Sequence, residues 1–451
     1  MKSIRIGSGA GYGGDRIEPA VELIEKGNLD YIVFECLAER TIAIAQQAKL
    51  KNPNKGYNSL LEDRMEKILP LCYEKDVKII TNMGAANPIA ATKIVKQMAT
   101  EKGLKGLKIA AVLGDNIFEN INKYLHCEVL ETGSQLKDLN GEIVSANVYL
   151  GCEGIVEALE NGSDVVITGR VADPALFLAP IVFEHKWDVN NYDLIGKGIL
   201  IGHLLECAAQ ITGGFFADPG YKDVPDLWKV GFPIAEVFED GEAIITKVKG
   251  SGGCITTATC KEQLLYEIHD PSKYITPDGV ADFTNVTFEE IGKDKIKVKG
   301  GRGTEKPKKL KVSVGYRDCY IGEGEISYGG SGALNRAKLA GEIVKKRLEH
   351  NKVSIEELRI DLIGVNSLYR NEISRKINRE EYNPPEVRLR VAGRTLTKDD
   401  AIKIGNEVET LYTNGPASGG GVTKSVKEII SIASIFIPRE DVKVEVVYEE
   451  V

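Results

Sequence analysis

No apolar run in this chain is long enough to span a membrane, and none near the amino terminus has the length of a signal peptide. Met1-Lys2-Ser3 leads straight into an apolar stretch, so the expected location is the cytoplasm. Positive charge is not in excess either: 58 Lys and Arg stand against 66 Asp and Glu, a formal net charge of −8. Such a chain has no overall field to attract nucleic acid, and it has no basic arm or zinc-finger spacing that would override that balance. Lys306 to Lys311 reads as a solvated loop. The eight cysteines, at 36, 72, 127, 152, 207, 254, 260 and 319, include no C-x-x-C pair, which fits free thiols in a reducing compartment. Internal repeats and low-complexity segments are absent, as are a Walker motif, a nucleophile elbow and a complete metal signature.

What is present begins at the amino terminus. Ile4 to Ile6 breaks into Gly7-Ser-Gly9-Ala-Gly11-Tyr-Gly13-Gly14 and then into Asp15-Arg16-Ile17-Glu18-Pro19, the pattern of a strand, a glycine loop and a helix start. Backbone N–H groups in such a loop can approach an anion at the positive end of the helix. Gly9, Gly11 and Gly14 also fit G-x-G-x-x-G, and Glu35 closes the next apolar run, where a dinucleotide-binding fold keeps its ribose-binding acid. Against that, Asp15 follows the third glycine, and its carboxylate would repel phosphates unless Arg16 offset it. A tight turn without a ligand accounts for the same residues.

From residue 1 to about 200 the pattern alternates strand and helix, with strands expected at 3–7, 30–34, 77–82, 107–113, 145–150 and 164–168. Near-continuous apolar runs such as Val165-Val-Ile167 suit strands covered on both faces. The expected class is therefore α/β: an amino-terminal, mainly parallel sheet with flanking helices over 1–230, followed by an α+β region over 231–451 with an antiparallel section and glycine-rich loops. A closed (β/α) barrel would give the same alternation. In either architecture ligands gather at the carboxyl ends of the strands. Those ends carry Gly7-Ser-Gly9, Glu35-Cys36, Thr81-Asn82, Gly114-Asp115-Asn116 and Gly169-Arg170-Val-Ala-Asp173.

Candidate site residues follow from chemistry and spacing. Glu35, at a strand end, is a general-base candidate, with Glu39 an alternative. Arg170 would grip a substrate carboxylate or phosphate with its planar fork, or pair with Asp173. His203, Glu206 and Cys207 share one helix face and would exchange protons, or else form a satisfied core pair. One helix does not complete a metal site, so no metal is assigned. Asn82 and Asn87, in the Thr81-Asn82-Met-Gly-Ala-Ala-Asn87-Pro88 segment, and Gly13, with Asp15 and Arg16, join the set of candidate substrate contacts. Further glycine loops, at Gly213-Gly214, Gly252-Gly253 and Asn414 to Gly419-Gly420-Gly421, offer backbone donors or close a domain interface; the last is expected to lead into a helix from Val422 to Phe436. Cys254, after Gly252-Gly253 at an expected helix start, is either a thiol of lowered pKa or a buried structural one.

Gly13-Gly14-Asp15-Arg16-x-Glu18-Pro19-Ala20, Leu29-Asp30-Tyr31 with Leu37-Ala38-Glu39, the Thr81 to Pro88 segment, Thr168-Gly-Arg170-Val-Ala-Asp173 and Thr413-Asn-Gly-Pro416 together resemble the acyclic terpene utilisation AtuA-type family over essentially the full chain. The resemblance implies a catabolic setting, in company with acyl-CoA degradation. The reading carried forward is a catabolic enzyme acting on a carboxylate or coenzyme A thioester by hydratase or lyase proton chemistry. In it Glu35, His203 and Glu206 handle protons, while Arg170 and the glycine loops hold the anion. No cofactor beyond a coenzyme A thioester substrate is assigned, and the expected partners are a small anionic substrate and a further copy of the chain or a small subunit. An NAD-dependent oxidoreductase and a non-catalytic subunit of a catabolic complex are the rival readings.

Overall fold

The apolar opening run becomes β1 (Ser3–Ala10), and Pro19, in the first turn of α1 (Glu18–Lys26), helps start the first crossover. The computed structural model describes residues 2–377 and 382–451. The chain continues through β2 (Tyr31–Phe34), α2 (Glu39–Lys51), α3 (Leu61–Lys75), β3 (Lys78–Thr81), α4 (Pro88–Glu101) and β4 (Lys108–Leu113). Next come β5 (Ile143–Val148), α5 (Glu153–Glu160), β6 (Val165–Thr168), α6 (Ala175–His185) and α7 (Tyr192–Leu205). An antiparallel stretch follows: β7 (Pro233–Phe238), β8 (Ala243–Lys247), α8 (Thr257–Leu265), β9 (Tyr274–Ile275), β10 (Val280–Asp282), β11 (Thr287–Gly292), β12 (Lys295–Lys299), β13 (Arg302–Thr304) and β14 (Lys309–Gly329). The remainder is α9 (Ala333–His350), β15 (Glu357–Ile363), α10 (Arg370–Ile377), β16 (Glu386–Thr395), α11 (Lys398–Glu409), α12 (Leu411–Asn414), β17 (Gly419–Pro438) and β18 (Glu445–Glu450).

Two compact units result. The first comprises Met1–Leu139, Ile143–Gly315 and Ile432–Val451; the second comprises Asn140–Glu142 and Tyr316–Ser431. β7 and β8, which lie just beyond residue 230, belong to the large sheet of the first unit.

That sheet has ten strands in the order β11-β12-β8-β7-β1-β2-β3-β6-β4-β18. β1, β2, β3, β6 and β4 are parallel, whereas β7 and β18 flank them antiparallel. The order ends at β11 and β18, so the sheet is open and the class is α/β, not a closed barrel. The strand expected at 145–150 lies outside it: β5 pairs with β14 instead. The expected helix from Val422 is likewise a strand, β17. Its run of Val422, Thr423, Val426, Ile429, Ile430 and Ile432 is β-branched, stiff at χ1 and better suited to a pleated surface than to a helix.

Strand order also fixes where the loops lead. The path β1, β2, β3, β4 advances across the sheet, then returns to insert β6 between β3 and β4. Right-handed crossovers place the helices of the advancing and returning paths on opposite faces. Accordingly α1, α3 and α4 pack together, as do α5, α6 and α7. On the first face Leu23, Met65, Ile68, Leu69 and Val95 bury against Ile32, Ile79 and Ile109 of the strands. The chain therefore leaves β3 toward one face and its neighbour β6 toward the other, which opens a crevice at their carboxyl ends.

In the second unit α9 and α11 cover one face of the sheet built from β15, β16, β14 and β17. Alternation along β16 puts Val387, Leu389 and Val391 in the core and Arg388, Arg390 and Arg394 on the opposite face.

Candidate functional site

The β3/β6 crevice is where the sequence puts its most unusual side chains. Asn82, just past β3, accepts the Cys36 N–H at 2.7 Å and donates to Glu35 Oε1 at 3.0 Å. Glu35 Oε1 also accepts the Leu37 N–H at 2.9 Å. The carboxyl is buried, and burial followed by the neighbouring Asp173 charge pushes its pKa well above the usual range, against the pull of Arg170 and these two hydrogen bonds. Glu35 therefore holds its proton to higher pH than an ordinary carboxyl does.

Arg170, past β6, has a fully buried side chain. Its N–H is held by Asp115 Oδ2 at 2.9 Å, and Asp115 also accepts from Asn147 Nδ2 at 2.9 Å. Gly169 is required here, because a Cβ would lie 2.6 Å from that same carboxylate oxygen. The guanidinium donates to the Val171 carbonyl from Nε (2.8 Å) and Nη2 (2.6 Å), to the Leu37 carbonyl from Nη1 (2.5 Å), and to Asp173. Its fork is therefore spent on the protein, and the ion pair with Asp173 is formed. Asp173 is the more open partner, its side chain 39% exposed. Removal from bulk water still raises its pKa, over the opposing charge of Arg170.

Tyr149, Glu39 and Lys311 complete this side of the site, and no motif in the sequence links them. The Tyr149 N–H bonds the Lys311 carbonyl at 2.9 Å where the chain after β5 runs beside β14. The Tyr149 ring then lies close to two cations, 4.7 Å from Arg170 and 5.0 Å from Lys311. Its hydroxyl donates to Glu39, which also receives Lys311 Nζ at 3.4 Å. Despite its partial burial, Glu39 is held below the ordinary carboxylate range by these partners. A cavity of about 240 Å³ adjoins the cluster, lined by Asp173, Tyr149 and Tyr274, by the apolar Ile275, Leu310 and Phe436, and by Lys309 and Lys311.

His203 and Glu206 meet as their helical spacing predicts, Nδ1 to Oε1 at 2.8 Å. The ring is 2% exposed at the side chain, tilted against Tyr274 and stacked on Phe283, and its Nε2 bonds the Leu264 carbonyl at 3.1 Å. Both nitrogens are thus committed, and His203 has no atom to offer a substrate. Glu206 keeps one buried oxygen, Oε2, without a hydrogen-bond partner among the described residues. Burial, opposed by His203, raises its pKa to about 7. Burial pushes His203 down, but the Glu206 charge and hydrogen bond outweigh it and the net shift is upward. Asp173 acts electrostatically on both Glu35 and Glu206, so the two halves form one acidic cluster, with Arg170 on the Glu35 side and His203 on the Glu206 side.

The amino-terminal glycine loop reaches the edge of this cluster. Gly9 lies inside β1, and Gly11 packs so closely that a Cβ would sit 2.4 Å from the Cys207 carbonyl carbon. Asp15 accepts the N–H groups of Gly11 (3.0 Å) and Arg16 (2.9 Å), so two donors of the loop are already satisfied. Gly13 packs on the Cys36 carbonyl and Gly14 on the Tyr12 ring, while the Arg16 guanidinium caps the Val230 carbonyl at 2.9 Å. Asn87 is the N-cap of α4 and ties down the Pro53 and Lys55 carbonyls.

The other glycine loops are elsewhere. Gly213 packs against Val224 and Gly214 against Ala209. Gly252 and Gly253 border a different cavity, described below. Asn414, Gly419, Gly420 and Gly421 belong to the second unit. Cys254 precedes α8 rather than starting it, and burial with the Asp294 charge raises its thiol pKa, the reverse of the lowering expected at a helix end. Among the described residues no group of three or more His, Cys, Asp or Glu is placed to hold a metal ion, and no helix is long and apolar enough to cross a membrane.

Comparison with known proteins gives no match to a curated protein and none to a solved structure. A family model does match, over residues 4–448, which takes in every residue of the crevice: the chain belongs to the family of acyclic terpene utilisation proteins, AtuA.

Proposed function

We propose that this protein serves acyclic terpene utilisation as an enzyme that moves a proton at a carbon of a carboxylate or acyl-CoA thioester, in hydratase or lyase chemistry. The observation that carries the reading is the acidic cluster of Glu35, Asp173 and Glu206, with Arg170 beside the first two and His203 on the third, next to a cavity with an apolar wall and lysines. Carboxyl groups of raised pKa near each other are what a site needs to hold one proton and lack another at the same pH.

In this mechanism Asp173 touches the substrate, because it alone of the three lines the cavity. In the dehydrating direction its carboxylate takes the proton from the carbon next to the carbonyl, and the departing hydroxyl leaves as water with a proton drawn from the Glu35–Asp173 pair. Lys309 and Lys311 face the substrate anion, the task that the committed fork of Arg170 cannot take. Arg170 keeps the carboxyl groups from repelling one another, and His203 positions Glu206 without touching the substrate.

The test is deuterium uptake from solvent at the α-carbon of 2-enoyl and 3-hydroxyacyl thioesters of acyclic terpenoid acids, read by mass spectrometry. Asp173→Asn should lower exchange by about 10²–10⁴-fold while thioester binding persists. Absence of exchange and of water addition across that panel with the wild-type protein would remove the reading.

A further inference from the structure

A second cavity, about 540 Å³, lies away from the acidic cluster, and its walls carry the opposite charge. Lys247, Lys249, Lys293 and Lys295 line it, together with Ser251, Cys254, Asp226 and Asp294. Two turns bring the lysines together. One is the Gly250-Ser-Gly-Gly253 loop after β8, where Gly250 (φ +88°) and Gly253 (φ +83°) take the left-handed region. The other is the two-residue hairpin turn between β11 and β12, where Asp294 (φ +53°) does so, setting Lys293 and Lys295 on either side of it.

Charge pairing in the cavity is uneven. Lys247 has a side chain only 4% exposed, and its ammonium is fixed by the Ser251 carbonyl (2.8 Å), Ser251 Oγ (3.3 Å) and Asp294 (3.7 Å). Asp294 is further engaged by the Ile255 N–H at 3.0 Å, and Asp226 pairs outward with Lys229 at 3.1 Å. The side chains of Lys249, Lys293 and Lys295 have no hydrogen-bond or ion-pair partner among the described residues. Three lysines with unpaired ammonium groups therefore line one concave volume whose two carboxylates are already engaged. Holding them together costs mutual repulsion, which a polyvalent anion would relieve. The loop amides are not available as a phosphate cradle, since those of Ser251, Gly252, Gly253 and Cys254 bond the carbonyls of Val248, Lys229, Pro225 and Thr212. Recognition would rest on lysine charge, which suits phosphate groups better than the planar geometry of a carboxylate.

We propose that this lysine-walled cavity is a binding site for a phosphate-bearing anion, either the nucleotide end of a coenzyme A thioester or a free diphosphate. The site stands whether or not the acidic cluster performs the reaction above.

Calorimetric titration at low ionic strength with coenzyme A, ADP and inorganic pyrophosphate tests it, comparing the wild-type protein with K249Q/K295Q. The charge-matched control is K67Q/K93Q on the exposed faces of α3 and α4. Folding of each variant is checked by circular dichroism. Affinity for at least one of the three anions should fall about tenfold or more in K249Q/K295Q, stay unchanged in the control and weaken with added salt. Coenzyme A and ADP binding with weak pyrophosphate binding identifies a nucleotide; the reverse identifies a free diphosphate. The bound anion should also slow alkylation of Cys254, followed by peptide mass spectrometry. Failure of all three anions to bind, or equal loss in both double variants, would overturn the proposal.

Discussion

The acidic cluster of the first unit and the charged sheet face of the second use the same side chains to different ends. In the second unit Arg388 pairs with Glu325 (2.5 Å), Arg390 with Asp361 (3.0 Å) and Arg394 with Asp318 (2.7 Å), each arginine about a third exposed. Although partial burial pushes Asp318 up, hydrogen bonds from Arg394 and Ser431 hold its pKa below the ordinary value. In the crevice Arg170 serves Glu35 and Asp173 while His203 serves Glu206, and the pKa values of all three carboxyls rise. The difference lies in the deep burial of Glu35 and Glu206 and in the Asp173 charge that acts on both, not in residue type. Paired carboxylates on a sheet give structure, whereas under-compensated buried ones hold protons.

Removing the cation from each region separates the two cases most sharply. Arg170→Met should destabilise the protein by about 3–5 kcal/mol in denaturant unfolding, because it strands buried carboxylates and leaves the Leu37 and Val171 carbonyls unpaired. Next in size is Gly11→Val, expected to cost about 1–3 kcal/mol in the same assay because its side chain would enter the Cys207 main chain. A wild-type unfolding midpoint for Gly11→Val would mean that the loop is free of the cluster.

The His203–Glu206 pair provides a pH test. Both groups have raised pKa values in the folded state, so between the unfolded carboxylate value near 4.5 and the folded value of about 7 the native protein binds more protons than the unfolded chain. Stability from this source is present at the acid end of that window and is lost as pH rises through it. Glu206→Gln should therefore flatten the wild-type stability–pH curve between about pH 5 and 8, by about 1–3 kcal/mol across the range. The smallest effect belongs to the second unit: Arg388→Met should change stability by no more than about 1 kcal/mol, and less in high salt.

Much of the first unit was legible because parallel strands buried on both faces leave continuous apolar runs, as in Val165-Val-Ile167. The same logic marked Glu35, Asn82 and Arg170, which sit at strand ends whatever the strand order. Strand order itself was not legible. The insertion of β6 beside β3, which makes the crevice, depends on long-range pairing that leaves no local pattern. Tyr149 escaped notice for a similar reason: it contributes because β5 leaves the main sheet to pair with β14, and that choice is tertiary. Packing alone accounts for some of the glycines. Gly11 and Gly169 are needed where backbone passes within reach of the Cys207 main chain and the Asp115 carboxylate, so a ligand is not required to explain either. The β17 segment was read by its flanking glycines, when its β-branched content was the stronger signal.

Glu35 is expected to hold a proton at a pH where an ordinary glutamate has lost it. Infrared difference spectroscopy of the protein at about pH 6, well above the usual glutamate pKa, reads that proton as a carboxylic-acid C=O band. Measured in a Glu206→Gln background to remove the second raised glutamate, the band should be present and should lose intensity on adding Glu35→Gln. A spectrum without that band at this pH, or one in which Glu35→Gln changes nothing, would show Glu35 ionised and contradict the account.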